Sequence, residues 1–398
     1  MLKAPRRILA TLSISFVAAA SCAATARAVD FQIIGPGLAT DVSADGSAVV
    51  GNTDFTYETF RWTSATGIVP LGRATVPVIT TGAGVPEISA DGTRISATII
   101  DDTNTMGTPG LWTLGSGWQQ LMPPGPADAE PLDLYHGSSW GISGDGNSVV
   151  GLYWRTQPGG LAHAMKWTSA TGVVDLGSGG ESSRANGANY DGSVVVGWDE
   201  EPTVRNWQAA AWVDGVKTLL TTNDAFCSAE AVTPNGTTIV GNSYDTVNGF
   251  PDAAIWRWNG NAWDEQQLGV LAGTDPIFGG NSVASDVSGD GSIVVGWNQF
   301  DFFGGTGFIW TQDLGLMSAT DWLTSSGVTI DPNFVIENLT GVSQDGSTVV
   351  GYGYDINSGE RSSFLVTVPE PASPLAACFL IGAAIISRGR LRAGRTAR

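Results

Sequence analysis

Few side chains in this 398-residue sequence suit nucleophilic or zinc chemistry. The two histidines are His136 and His163, and we expect both to lie in connections between strands. The cysteines stand far apart, with Cys22 near the start, Cys227 in the body and Cys378 near the end. No familiar Ser/His/Asp spacing, His-x-x-x-His pair or cysteine ligand pair is present. The sequence therefore predicts no disulfide framework, no metal site, no cofactor, no catalytic residue and no enzyme activity.

Acidic side chains are the remaining candidates for chemistry, and they leave two alternatives open. With 38 Asp and Glu, the chain can place two carboxylates at the separations that glycosidases use, as a polysaccharide hydrolase or lyase would. Regularly repeated aspartates raise a calcium-dependent adhesin as the other alternative. The repeated pairs are Asp45-Gly46, Asp91-Gly92, Asp145-Gly146, Asp191-Gly192, Asn235-Gly236, Asp290-Gly291 and Asp345-Gly346.

The repeated pairs favour a turn over a calcium site. Asp-Gly suits a tight turn for backbone reasons alone. One copy has Asn235 in place of the aspartate, and the Asp-x-Asp-x-Asp-Gly run of a calcium loop does not occur. We therefore interpret these residues as structural.

The same pairs mark a repeat, with intervals of 46, 54, 46, 44, 55 and 55 residues between successive glycines. In the copy from Val42 to Gly51, an apolar approach leads to Asp45-Gly46 and then to a β-branched run. This pattern predicts two strands, A and B, joined by a two-residue type I′ turn.

Roughly twenty residues after each pair, six of the seven copies carry a tryptophan in a short strand C, which a turn joins to a strand D. The tryptophans are Trp62, Trp112, Trp167, Trp212, Trp256 and Trp310. Phe60, Met165 and Phe308 stand two residues before three of them. Because alternate residues share one face of a strand, we interpret this column as core packing and not as a carbohydrate-stacking platform.

Seven units of four short strands predict an all-β, seven-bladed β-propeller over residues 29–368, because a single unit cannot cover both of its faces. Phe31 to Gly35 has the pattern of a strand D, and the seventh unit lacks one. We therefore expect the N-terminal strand to close the ring. The second unit is the least regular, with Arg94 to Ala97 in place of the β-branched run, and one helical turn capped by Thr320 is expected at Asp321 to Leu323.

An export signal is predicted at the N-terminus, over residues 1–28. Basic residues precede an apolar run over residues 8–20, and Ala26 and Ala28 occupy the two positions that a signal peptidase reads. Cleavage is therefore expected before Val29. A lipoprotein site at Cys22 and a twin-arginine signal are the alternatives.

A second signal is predicted at the C-terminus, over residues 369–398. Pro369-Glu370-Pro371 precedes an apolar segment over residues 375–386, which is shorter than the roughly 20 residues that a spanning helix needs. We predict a short membrane helix whose far end the arginines hold in the cytoplasm. These arginines are Arg388, Arg390, Arg392, Arg395 and Arg398.

The tail resembles a PEP-CTERM sorting signal through its Pro-Glu-Pro, apolar segment and arginine cluster. The body resembles the HAF-repeat extracellular proteins, whose pattern matches Ser43 to Gly51 and Phe60 to Thr63. These resemblances imply transient recognition by an exosortase-type sorting enzyme, removal of the tail near Pro369, and release or attachment at the bacterial cell surface or matrix. Before processing, the tail would be the chain's one contact with the inner membrane. The family has no established catalytic residues to carry over.

Charge and loop lengths bear on partners. Residues 29–368 hold 10 Lys and Arg against 37 Asp and Glu, a net charge of −27, so nucleic acid is not expected as a partner. Long B–C and D–A connections must share one end of the ring, where binding residues usually concentrate. We predict a rim there for extracellular polysaccharide or surface proteins, with capping of the blades as the alternative. Its candidates are Tyr57, Trp154, Trp198, Tyr244, Phe302 and Tyr354.

Overall fold

The computed structural model describes residues 29–53, 58–74, 84–100, 107–121, 137–154, 161–200, 202–203, 206–221, 226–247, 249–275, 280–299 and 304–368. Within them, 28 strands form seven sheets of four antiparallel strands each. The expected seven-bladed all-β propeller is confirmed. Residues 1–28, the tail 369–398 and His136 lie outside the described ranges, and no helix within those ranges is long and apolar enough to cross a membrane.

The strands follow one another in blade order. In blades 1 to 3 and the strand before them, they are β1 (Asp30–Pro36), β2 (Leu38–Val42), β3 (Ala48–Asn52), β4 (Glu58–Thr63), β5 (Gly67–Ala74), β6 (Glu87–Ile88), β7 (Arg94–Ile100), β8 (Gly107–Thr113), β9 (Gly117–Gln120), β10 (Gly137–Ile142), β11 (Ser148–Trp154), β12 (Ala162–Thr168) and β13 (Gly172–Gly177). In blades 4 to 7 they are β14 (Ser183–Ala188), β15 (Val194–Glu200), β16 (Trp207–Val213), β17 (Val216–Leu219), β18 (Ser228–Val232), β19 (Thr238–Tyr244), β20 (Pro251–Trp258), β21 (Trp263–Gly269), β22 (Ser282–Val287), β23 (Ile293–Gln299), β24 (Gly305–Thr311), β25 (Gly315–Ser318), β26 (Phe334–Val342), β27 (Thr348–Asp355) and β28 (Arg361–Thr367).

The N-terminal strand closes the ring, as expected. β1 pairs antiparallel with β28 in the order β1-β28-β27-β26, with Asp30 opposite Thr367. Phe31 packs against Phe364 and Phe334, with ring centroids 5.1 and 5.9 Å away. Blade 7 therefore joins the two ends of the domain by hydrogen bonds and by an aromatic core.

The repeated turns are not of type I′. That turn needs a positive φ at both central residues, but among the described residues the only non-glycine with positive φ is Asp214. In the first copy, Ser43 N–H donates to Ala48 O, which encloses the four residues 44–47, and Gly46 alone has a positive φ of 72°. Asp45 instead accepts hydrogen bonds from Ser43 Oγ and from the backbone N–H of residue 47, so its side chain fastens the turn.

The tryptophan column forms the core, as predicted. The six tryptophans are each at most 9% exposed, and their alternates Phe60, Met165 and Phe308 are fully buried. Trp212 Nε1 donates to Leu176 O of the preceding blade at 3.0 Å. The column therefore packs blades against one another.

Blade 2 is complete, but its inner strand β6 has only two residues. At the equivalent of Ala97, blade 1 has Gly51, where a Cβ would lie 2.1 Å from Leu38 O of the inner strand. The Cβ of Ala97 prevents this approach, so pairing between β6 and β7 ends at Ser96.

One helix, α1, spans Ala319–Ser325. The cap predicted at Thr320 is wrong, because Ser318 is the N-cap and its side chain accepts from Asp321 N. Trp322 and Leu323 are buried in the core between blades 6 and 7, so α1 is part of the packing and not a loop decoration.

Candidate functional site

The seven inner strands surround a central channel, and most of them contain a β-bulge. In β2 the register shifts between Ala39 and Asp41, so that Thr40 and Asp41 both face Val50. This irregularity brings two residues of a strand into the channel wall. The residues equivalent to Thr40 that line the channel are Trp140, Asn186, Glu230, Ser285 and Thr340.

The channel has a wide and a narrow part. We name the end with the B–C and D–A connections the loop face, and the end with the A–B and C–D turns the turn face. At the loop face the channel widens into a chamber of about 240 Å³, to which Asn52, Asn338 and Tyr352 also contribute. Towards the turn face the channel is narrower, and the space that Asp41, Glu87 and Asp286 line has a volume of about 110 Å³. The chamber is the candidate functional site.

An arginine stacked among tryptophans lies behind one wall of the chamber, the wall formed by Trp140. Arg184 of β14 places its guanidinium carbon 3.6 Å from the ring centroid of Trp140 and 5.4 Å from that of Trp198. Trp198 stacks in turn on Trp207 at 4.5 Å. Burial among these rings lowers the pKa of Arg184 to about 10, which leaves it charged at neutral pH. The cation–π contacts hold Trp140 in one orientation beside the chamber.

Asn186 fixes the orientation of a carboxylate in the chamber. Its Oδ1 accepts from Arg184 Nε at 2.6 Å, and its Nδ2 donates to Ala229 O at 2.9 Å and to Glu230 Oε2 at 3.0 Å. No described residue donates to the other carboxylate oxygen of Glu230. The chamber therefore contains a positioned hydrogen-bond acceptor.

A second acceptor lies across the channel. Asn338 of β26 lies opposite Tyr352 of β27, and burial raises the pKa of that tyrosine. Within the described part of the chain, Asn338 Oδ1 is buried without a partner. An unsatisfied buried acceptor costs about 1 to 3 kcal/mol, so Asn338 adds an unpaired polar atom to the wall of the chamber.

Three acids, Asp41, Glu87 and Asp286, stand where the channel narrows, and Asp41 and Asp286 bind the next blade. Asp41 accepts N–H bonds from Val42 at 2.6 Å and from Ile88 of blade 2 at 2.9 Å. Asp286 accepts in the same way from Val287 and from Val342 of blade 7. Burial raises the pKa of Asp41 to about 7, and burial with the charge of Asp41 raises that of Asp286 to about 8. Burial, and then the neighbouring acids, raise the pKa of Glu87 well above its usual value.

The predicted rim residues are distributed around the ring. Tyr57 and Phe302 lie outside the described ranges. Trp154, Tyr244 and Tyr354 lie at or near the loop-face ends of strand B in blades 3, 5 and 7, each partly buried. Trp198 is 6% exposed and stacks on Trp207, so it packs within its blade, as the capping alternative predicts, and is not an exposed rim residue.

The repeated aspartates have local partners. Hydrogen bonds from the side chain and N–H of Ser47 lower the pKa of Asp45, and Asn235 accepts from Thr233 Oγ1 at 2.8 Å in the same position of its turn. Among the residues that the structure describes, no group of three or more His, Cys, Asp or Glu is placed to hold a metal ion.

The sequence-based prediction missed the residues that line the chamber. Trp140, Asn186 and Glu230 belong to approaches that we treated only as apolar. When the seven approaches are aligned on the position of Val42, that column is apolar in every copy, whereas the column that contains Trp140, Asn186 and Glu230 varies in residue type. This contrast is the signal that the sequence offers. The convergence itself depends on ring closure and on the bulges.

Comparisons with protein-family models and with curated protein sequences find no match. Among solved structures, the β-propeller domain of the Trilobed protease from Pyrococcus furiosus, described as having an open velcro topology, matches with a TM-score of 0.51 and 12% identity, covering 84% of this chain and 94% of that one. A putative TolB from Agrobacterium tumefaciens matches with a TM-score of 0.41 and 11% identity, over 86% and 98% of the two chains.

TolB from Acinetobacter baumannii matches with a TM-score of 0.41 and 12% identity. The match covers 84% of this chain and 65% of that one. At 12% identity, the likeness to the Trilobed protease domain shows the fold alone. The seven sheets of the described residues define the protein as a seven-bladed β-propeller.

Proposed function

We propose that this protein is an exported cell-surface or extracellular-matrix component whose propeller binds a neutral, hydroxyl-rich glycan in the loop-face chamber. The observation that carries the proposal is the chamber itself, about 240 Å³ in volume and lined by Trp140 and several hydrogen-bond acceptors. An enclosed protein cavity of roughly 150 Å³ holds one benzene ring. The larger chamber has room for a substituted sugar ring.

The lining favours a ligand that donates hydrogen bonds. Glu230 has one carboxylate oxygen without a donor in the described structure. Thr40 and Thr340 use their hydroxyl protons on Pro86 O and Ala39 O, so their oxygens can only accept from a ligand. Sugar hydroxyls match this set, and an indole beside them suits the apolar face of a sugar ring.

The charges around the chamber favour a neutral ligand over an ion. Glu230 lines the chamber within an acidic domain and repels anions. The guanidinium of Arg184, 3.6 Å from the Trp140 ring, repels cations at the same wall. A neutral glycan meets neither penalty.

Export is supported by the sequence at both ends. The predicted signal peptide with its cleavage site before Val29 supports secretion. The Pro369-Glu370-Pro371 tail supports sorting by an exosortase-type enzyme. A net charge of −27 over residues 29–368 supports a component that works away from nucleic acid and anionic lipid.

Glycan binding is tested by calorimetry with neutral polysaccharides, their oligosaccharides and methyl glycosides. We expect Trp140→Ala to weaken binding at least tenfold through loss of ring contact, about 1.4 kcal/mol. Trp258→Ala is the matched control, because Trp258 is 44% exposed at the turn face. Equal loss in both variants, or unchanged binding by Trp140→Ala, would contradict the assignment to the chamber.

Export is tested by intact-mass spectrometry of the protein recovered from each fraction of its own cells. The expected species begins at Val29, ends near Pro369 and lies outside the inner membrane. A full-length C-terminus retained in the inner membrane would show that the tail is a plain anchor.

A carbohydrate-active enzyme is the second candidate, because Glu87 and Glu230 line the same chamber. A carboxyl group with a raised pKa, such as Glu87, can act as a general acid. Turnover of a polysaccharide that Glu87→Gln and Glu230→Gln both abolish, with binding retained, would establish this function. Binding without turnover would favour the non-enzymatic proposal.

A further inference from the structure

A serine, a histidine and an aspartate lie within hydrogen-bond distance of one another at the loop-face end of blade 3. His163, in the second position of β12, is 6% exposed. Its Nδ1 lies 3.1 Å from Asp175 Oδ1 of β13, and its Nε2 lies 3.2 Å from Ser178 Oγ, just after β13. The expectation that His163 lies in a connection is therefore wrong.

The partners of Asp175 determine the direction of these hydrogen bonds. Burial raises the pKa of Asp175, but hydrogen bonds from His163 and from Gly177 N–H hold it below its usual value. An ionised carboxylate only accepts, so neutral His163 carries its proton on Nδ1. Nε2 then has a free lone pair and accepts from Ser178 Oγ–H. This is the arrangement that activates a serine in acyl-transfer enzymes.

The loop that carries Ser178 is held in place. Gly179 N–H donates to Asp199 Oδ1 at 2.9 Å, and Lys217 Nζ bonds the other oxygen of that buried aspartate. Gly180 N–H donates to Ser178 Oγ at 3.2 Å. This bond helps to fix the position of the Ser178 hydroxyl oxygen.

The approach to Ser178 is open on one side. Ser178 is partly exposed, and a Cβ placed on Gly177 would have no atom within 4 Å. A substrate carbonyl can therefore reach Oγ from solvent, while His163 beneath it is shielded.

We propose that Ser178 is a nucleophile that hydrolyses carboxylic esters, with His163 as general base and Asp175 as the residue that positions it. Ser178 Oγ attacks the ester carbonyl carbon while its proton passes to His163 Nε2. The C–O bond to the alcohol breaks, and the alcohol oxygen takes that proton. Water then loses a proton to His163 as its oxygen attacks the acyl carbon. The bond between that carbon and Ser178 Oγ breaks, Oγ takes the proton from His163, and the carboxylic acid leaves.

Esters fit this site better than amides. An alcohol leaves more readily than an amine, so an ester needs less help from the protein in the step that releases the leaving group. The proposal is independent of glycan binding in the chamber, because Ser178 belongs to the outer strands of blade 3 and not to the channel wall.

The first test is covalent labelling of the full chain with a fluorophosphonate, followed by peptide mass spectrometry. We expect modification at Ser178 that is lost in Ser178→Ala. Ser193→Ala is the matched control, because Ser193 Oγ bonds the carboxylate of Asp191 at 2.6 Å but no histidine in the described structure. Unlabelled Ser178 under conditions that label a known serine hydrolase would overturn the proposal.

The second test is the rate of hydrolysis of p-nitrophenyl acetate. We expect Ser178→Ala and His163→Gln to lower kcat/KM at least about 100-fold, since a general base contributes about 10² to 10⁴. Asp175→Asn should lower the rate and alter its pH profile, because an amide reverses the hydrogen-bond direction at Nδ1. A purely structural Asp175 would change the melting temperature and leave the pH profile in place. A wild-type rate in Ser178→Ala, with a wild-type melting temperature, would refute the site.

Discussion

At the scale of residues, Asp41 and Asp286 show how a propeller can use carboxylates to join blades. Each spans a blade boundary by accepting one N–H of its own strand and one of the next inner strand. Where the equivalent residue is Gly141, a Cβ would lie 2.4 Å from Asn186 O, so the strands approach directly instead. The inner ring thus uses close contact at some blade boundaries and bridging acids at others.

These acids predict how stability depends on pH. Asp41 and Asp286 have folded-state pKa values of about 7 and 8, whereas an unfolded aspartate titrates near 4. Between about pH 4 and pH 8 the folded protein holds more protons than the unfolded chain, so stability falls as pH rises. The expected slope reaches about 1.4 kcal/mol per pH unit for each extra proton.

The measurement is urea unfolding across about pH 5 to pH 9, with Asp41→Asn compared with the wild type. The variant loses an acceptor for one N–H, so we expect it to be less stable than the wild type at low pH. As the pH rises, its stability should decline less steeply than that of the wild type. Asp286→Asn should behave in the same way. Identical slopes in all three proteins would show that these carboxyl groups do not carry the pH dependence.

Residue types were predicted well where one copy of the repeat contains the whole pattern, and poorly where function needs several copies. The burial of Trp62 and Phe60 follows from alternation along one strand. Trp140 and Glu230 meet only because the ring closes, and no pattern within one copy indicates it. Ser178 and His163 meet because β12 and β13 pair, although 15 residues separate them in the chain.

At the scale of elements, β1 is the strand on which closure depends. It supplies strand D of blade 7, while the repeat supplies only three strands there. Sequence predicted this from the missing strand, because an open edge in the last blade would leave backbone groups unpaired. The turn type was not predictable from Asp-Gly alone, since the flanking serines decide how the aspartate is used.

Deleting residues 29–36 should lower the melting temperature by more than about 10 °C, because it removes a whole strand and its aromatic contacts. Phe31→Ala should cost about 2 kcal/mol through lost contacts with Phe334 and Phe364. Ile33→Ala, on the same strand but 45% exposed, is the matched control and should melt close to the wild type. A deletion variant with an unchanged melting temperature would contradict closure by β1.

At the scale of the whole molecule, the charge of the domain should make its stability depend on salt. Residues 29–368 have a net charge of −27, and their acidic side chains repel one another in the compact state. Raising NaCl from about 10 mM to about 500 mM shortens the screening length from about 30 Å to about 4 Å and should raise the melting temperature by several degrees. CaCl₂ at equal ionic strength should do no more than NaCl. A larger rise with calcium, reversed by EDTA, would support the adhesin alternative.

Closure by β1 also fixes how a tethered propeller is oriented. Asp30 lies opposite Thr367, so both ends of the domain emerge side by side at the turn face, and Val368 N–H is bonded there to Ser347 O. The C-terminal tail, which continues from Val368, is therefore connected to the domain at the turn face. In a protein held by its C-terminal tail, as we propose, the chamber and Ser178 would lie at the face of the propeller farther from the point of attachment.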